Sequence, residues 1–323
     1  MYEKTPIHAD RRFSFLVWEI AQARRVVGCR ASGGCYSHGM RNERIRKPRR
    51  GFTLIELLVV VSVIALLIGI LLPALGAARR QAIAVSCASN LKQLGLGIGM
   101  YYNDYPSTLP QVRVNSAGDM VRPGDADRGE NIGALFGGKK GLLPFIGIDR
   151  IGAERRPLNE YVYDGELPPD ESTEADEFEL EVFRSPADQG TSDPFVKGLG
   201  VPTTSMYELL GSSYTLNDHA LDDTPFAELY PTLIPREGGR IPRVRHPTKV
   251  WVLGSHPIYN FDDGAERGQR WYRPGSVEAG LLFFDGHVEA SVPVEEGVTQ
   301  ETADYTFLPS PDWLEQFEEP LGP

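Results

Sequence analysis

The chain has 323 residues and is 41% hydrophobic, which is enough for a packed core and too apolar for wholesale disorder. Residues 1–51 hold 12 Lys and Arg against 4 Asp and Glu, leaving 21 against 40 in residues 52–323, so a front of +8 precedes a body of −19. A body that acidic repels phosphate backbones and argues against nucleic-acid binding, and the three cysteines, Cys29, Cys35 and Cys87, form neither a metal nor a disulfide framework.

Residues 1–51 read as a basic leader, with Lys or Arg at six of the ten positions 41–50. Residues 57–78 follow without a charge, and as a helix these 22 residues cover about 33 Å against a hydrocarbon core of about 30 Å. A transmembrane helix is therefore predicted over residues 52–78. The positive-inside rule keeps the amino terminus in the cytoplasm and sends the rest across, with Arg79 and Arg80 too few to reverse it. A cleaved secretory signal would be shorter, and a lipoprotein cysteine would not stand beyond two arginines, as Cys87 does. A plain anchor leaves Glu56 unexplained, because a carboxylate in a spanning segment costs about 3 kcal/mol and usually marks function.

The stretch "RRGFTLIELLVVVSVIALLIGILLP" resembles the cleavage and methylation motif of type IV prepilins and type II secretion pseudopilins. The resemblance implies that a membrane prepilin peptidase and methyltransferase cuts between Gly51 and Phe52 and methylates the new amine on Phe52. A glycine at Gly51 permits the close approach such a cut needs. Glu56 becomes the fifth residue of the mature chain, where its carboxylate pairs with the amine of Phe52 on a neighbouring copy, so that two costly charges offset one another. Implied partners are other copies of the chain, minor pseudopilins and the secretion or pilus assembly machinery, at a bacterial inner membrane with the head in the periplasm or outside. Family leaders are short. Starting at Met40 gives the 12-residue leader "MRNERIRKPRRG", so residues 1–39 are expected to be a misassigned start or a dispensable extension.

Pro73 is expected to bend the helix without ending it. An amphipathic stalk follows over residues 79–105, because Leu91, Leu94, Ile98, Tyr101 and Tyr105 recur at spacings of 3, 4, 3 and 4. Gly95, Gly97 and Gly99 are expected to fray it. "NLKQLGLGIGMYYNDYPSTLP" is similar to the stalk-to-head passage of large pseudopilin-like families of planctomycete-type bacteria, as are "FRSPADQG", "SSYTLND" and "GLLFFDGHVEA". Ser185 stands where those families commonly carry cysteine, and Gly275 stands where they place a histidine ten residues before Asp285.

Residues 106–310 read as a globular head of short strands and long loops. "KVWVLG" is strand-like, and Asp285 with Gly286 signals a hairpin turn between two apolar runs. The acidic, proline-bearing run "DGELPPDESTEADEFELE" reads as a solvated loop. Some secretion pseudopilins hold calcium in a head loop; carboxylates here or in "GDADRGEN" could supply oxygens, but neither has EF-hand spacing, so no metal ligand is assigned and no other cofactor is expected. Residues 311–323 form a tail, one turn of which packs through Trp313 and Phe317.

The expected fold is α+β, a long amino-terminal helix packed on a small antiparallel sheet. No nucleophile and base cluster in sequence, and G-x-S-x-G, H-E-x-x-H and phosphate-loop patterns are absent, so catalysis is not expected. The reading is a structural pilin-like subunit. A monomeric membrane-anchored binding protein using the same signal is the alternative, and a tethered hydrolase the third.

Overall fold

The computed structural model describes residues 52–122, 125–221, 229–259, 277–295, 297 and 300–315. The leader, Met40, Gly51, Gly275 and Phe317 lie outside the described residues. The chain divides into two compact units, residues 1–60 and 61–323. The described part of the first is residues 52–60, an extended pair followed by the opening turns of a helix.

That helix, α1 (Leu54–Asp104), has 51 residues and runs through Pro73 without interruption. Every residue from 52 to 75 is exposed. Among the described residues α1 is the one helix long and apolar enough to cross a membrane. Its later turns bury Cys87, Leu91, Leu94, Gly97 and Ile98, while Lys92 and Gln93 stay outside. The stripe ends earlier than its spacing suggests: Tyr101 packs on the core, whereas Tyr105 lies past the helix end, exposed, its ring tilted 30° against that of Tyr101 with centroids 4.7 Å apart.

The three glycines do not fray the helix. A Cβ on Gly97 would stand 2.5 Å from Val162 Cγ1, and one on Gly95 would stand 3.0 Å from the Leu282 side chain. Glycine at these positions lets the head approach the helix backbone, and the packing gained there outweighs the weak helix propensity.

Among the described residues, eight short strands build the head. Two small ribbons pair β1 (Arg113–Val114) with β2 (Glu130–Asn131), and β4 (His219–Leu221) with β5 (Leu229–Pro231). A separate four-stranded antiparallel sheet is formed by β3 (Tyr214–Leu216), β6 (Trp251–Ser255), β7 (Glu278–Phe283) and β8 (Val288–Pro293), in that spatial order. Successive strand residues face opposite sides, so the sheet separates two cores. Leu91, Leu94 and Ile98 of α1 pack with Tyr214, Leu216, Val252 and Leu282 on one side, and Trp251, Leu281, Phe283, Val292 and Phe307 form the other.

The β7–β8 connection turns at the predicted place. Gly286 N–H donates to Phe283 C=O at 2.9 Å, and Gly286 holds φ +85°, the left-handed conformation a glycine adopts without steric cost. The acidic run from Asp164 to Glu181 is not a plain solvated loop. It contains the helix Thr173–Glu177, whose Ala175 N–H is accepted by Ser172 Oγ at 3.2 Å, and its Leu180 and Ala175 are buried. The apolar residues interleaved with the acids tie the segment down. At the carboxyl end, Trp313 packs on the second core and its indole N–H donates to Pro231 C=O at 2.7 Å.

Candidate functional site: the amino-terminal helix and its seam with the head

The helix start is held by a reciprocal pair of side chains. Glu56 Oε2 accepts from Thr53 N–H at 2.8 Å and from Thr53 Oγ1 at 2.9 Å, while Thr53 Oγ1 accepts from Glu56 N–H at 3.2 Å. This is a capping box: Thr53 precedes the first helical residue and Glu56 reaches back over the first turn, satisfying two backbone donors that would otherwise be orphaned in lipid. Phe52 is exposed beside it. The signal that could have found it is the pattern Thr-x-x-Glu ahead of an apolar run, present in "TLIE". The misplaced charge of Glu56 overshadows it.

Past the apolar run, α1 meets the head through named contacts. Cys87 Sγ lies 3.0 Å from Ser185 Oγ, both buried, and burial pushes the Cys87 thiol up, keeping it protonated. Asn90 donates to Arg184 C=O at 2.9 Å, Lys92 Nζ to Gly286 C=O at 2.7 Å, and Tyr161 O–H to Asp104 Oδ2 at 2.9 Å. Ser185, where the resembled families carry cysteine, is thus the residue set against Cys87. Spacing in sequence could not show this, because 98 positions separate the two.

Asp188 of the same "FRSPADQG" stretch is occupied by structure. Its carboxylate accepts from Gly190 N–H, Ser205 Oγ, Met206 N–H, Tyr207 N–H and Ser213 Oγ, at 2.8 to 3.0 Å. It therefore caps the helix Met206–Leu210 and ties it to the segment leading into β3. Arg156 plays the matching role with carbonyls: fully buried, it donates to Ile151, Ala134, Gly137 and Leu210 C=O, and burial brings its pKa down to about 9.

At the hairpin tip, Asp285 Oδ1 accepts from His287 N–H at 3.0 Å and lies 2.5 Å from His287 Nδ1, and the His287 ring stacks on Phe283 at 4.2 Å. Partial burial raises the Asp285 carboxyl, and the bonds from His287 outweigh it, so the net shift is downward. His219 and His256 have partners of their own. His219 Nδ1 is 2.9 Å from Asp218 and its ring stacks on Tyr259 at 4.3 Å, while His256 Nε2 is 3.1 Å from Ser212 C=O.

Described carboxylates of the two loops have partners within the chain. Asp170 pairs with Arg155 at 2.5 Å, Asp176 with Lys140, and Glu179 with Lys139 at 2.7 Å; Asp127 accepts from Ser116 and Gly129. Among the described residues no group of three or more His, Cys, Asp or Glu side chains is placed to hold a metal.

Two family models match the chain. Residues 46–72 match the prokaryotic N-terminal methylation motif, and residues 76–238, half of the chain, match the family described as "Protein of unknown function (DUF1559)". The chain belongs to this family. The methylation motif takes in Phe52, Thr53 and Glu56, and it makes the chain a pilin-like protein of the kind processed by prepilin peptidase. The family match covers the seam residues Cys87, Asn90, Lys92, Ser185 and Asp188. Comparison with curated proteins and with solved structures finds no match.

Proposed function

We propose that the chain is a subunit of a pseudopilus or pilus, cut between Gly51 and Phe52, methylated on Phe52, and extracted from the inner membrane into a filament that serves secretion or attachment. Its amino terminus faces the cytoplasm and its head the periplasm or the exterior. Glu56 carries the reading. It stands in a run of residues, 52 to 75, that is exposed throughout, and outside lipid so apolar a surface needs other copies of the same helix to cover it. The carboxylate then meets the amine of a neighbouring Phe52 and sets the stagger between subunits. In the single chain the capping box takes up Glu56 Oε2, and among the described residues no cation pairs with the carboxylate.

The capping box also favours a second reading, a monomeric membrane-anchored binding protein, because it gives Glu56 a use within one chain. Two substitutions separate the readings. Glu56→Ala removes box and charge, whereas Glu56→Gln keeps an acceptor for the box and removes only the charge. Filament assembly followed by electron microscopy and amino-terminal crosslinking is expected to fail in both variants, with cleavage intact. Assembly retained by Glu56→Gln gives the residue to capping alone. Mass spectrometry of the mature amino terminus tests the processing step: an N-methylated Phe52 supports it, and an intact Gly51–Phe52 bond rejects it.

A further inference from the structure

The head carries apolar surface that its own fold does not use. Phe195 is 66% exposed, more than any other aromatic among the described residues of the head, and its ring stacks on Phe145 with centroids 5.9 Å apart. Leu142 and Ile146 beside Phe145 are exposed as well. These side chains are held out by built backbone. Asp193 Oδ1 accepts from the N–H groups of Phe195 at 2.7 Å and Val196 at 3.1 Å, and Ile146 adopts φ +46°, a conformation costly for a β-branched residue.

The position of this tip says what covers it. Ile83 and Cys87 pack on Ala187, and Ile83 lies five residues past Ala78, the end of the apolar run, about 8 Å along the helix axis. Among the hydrophobic clusters of the described residues, the one at Ala187 is the first along α1. From it the chain leaves on an excursion over residues 191–203, closed at its base by Thr191 N–H donating to Thr203 C=O at 2.9 Å, and this excursion carries Phe195. Lys197, exposed two residues on, supplies a cation. Aromatic and aliphatic side chains with a lysine beside them suit the boundary between headgroups and acyl chains.

We propose that the Phe145–Phe195 tip docks the head on the surface of the bilayer from which α1 emerges, with Phe195, Phe145 and Leu142 entering the headgroup boundary and Lys197 meeting lipid phosphate. The inference rests on the membrane-anchored reading above. Since the body carries 40 acids against 21 bases, the attraction is apolar rather than electrostatic, and docking persists in high salt.

The full chain in phosphatidylcholine vesicles, doped with a lipid bearing a diazirine near the headgroup end of its acyl chain, provides the test. After illumination, peptide mass spectrometry is expected to find lipid adducts on residues 57–78 and also on residues 142–146 and 191–203. The paired substitution Phe145→Ser and Phe195→Ser, at exposed positions, is expected to remove the head adducts and leave those on residues 57–78. Adducts on the helix alone, or head adducts indifferent to the substitutions, overturn the docking while the anchor stands; no adduct on either overturns the anchor itself. In the same vesicles treated instead with a bifunctional lysine-reactive reagent, tip peptides joined through Lys197 to a second copy overturn the proposal in favour of a contact between copies.

Discussion

One helix holds two regions that differ in what surrounds them. From Leu54 to Leu75, α1 is exposed on every side and, Glu56 apart, carries no charge; from Cys87 to Ile98 it buries one stripe and leaves Lys92, Gln93 and Leu96 outside. Both regions are helical and contain glycine. A Cβ on Gly69 in the first would meet nothing within 4 Å, while Gly97 in the second is closed over by Val162 and Leu158. The difference teaches that helical character here is common property, and that the angular distribution of apolar residues specifies the partner. A surround needs no stripe; a sheet on one side needs one.

The contrast can be broken first at its strongest point. Leu91→Ala, in the fully buried stripe, is expected to cost the head about 2–5 kcal/mol. Leu66→Ala, in the exposed region, is expected to leave head unfolding within about 0.5 kcal/mol of the parent. Denaturant unfolding in detergent, followed by tryptophan fluorescence, compares them; equal effects would erase the distinction. Next is the seam itself. Ser185→Cys places a second sulfur beside Cys87 and is expected to form a disulfide under oxidising conditions, raising stability by about 2–4 kcal/mol in a reductant-reversible way. No mobility change on a non-reducing gel would show that the two side chains do not meet.

Gly97→Ala and Gly99→Ala sharpen the comparison on a finer scale. The first forces a methyl against Val162 and is expected to destabilise by about 1–3 kcal/mol. The second meets open space and is expected to gain up to about 1 kcal/mol from helix propensity. Smallest is a pH effect at the hairpin tip that Lys92 holds. The Asp285 carboxyl lies below its ordinary value when folded, so its stabilisation is present above its unfolded value, about 3.9, and is lost as pH falls through the folded value. Partial exposure keeps the effect small. Asp285→Asn is expected to flatten the stability profile below about pH 4, read by hydrogen exchange of the β7–β8 amides.

Much of the architecture was legible in the chain. The length and uniformity of the apolar run, the 3-and-4 spacing of Leu91, Leu94 and Ile98, the strand in "KVWVLG" and the turn at Asp285 and Gly286 are local patterns. Local patterns survive in a one-dimensional reading because neighbours along the chain create them. Glu56 was legible as a charge out of place, though its capping bond with Thr53, equally local, was missed. The acidic run was misread because its charges outnumbered the few apolar side chains that hold it to the core.

By itself, then, the sequence determined that the chain carries a processed, membrane-suited helix ahead of an α+β head, since hydrophobic length and the Gly-Phe-Thr-Leu-Ile-Glu order depend on no distant residue. Only the tertiary structure decided what the later helix touches. Ser185 against Cys87, Val162 over Gly97, Lys92 on the hairpin and Phe145 stacked on Phe195 join residues 50 to almost 200 positions apart. Such pairs form because folding buries apolar area wherever the chain can close upon itself, and the spacing between the partners leaves no trace in the order of residues.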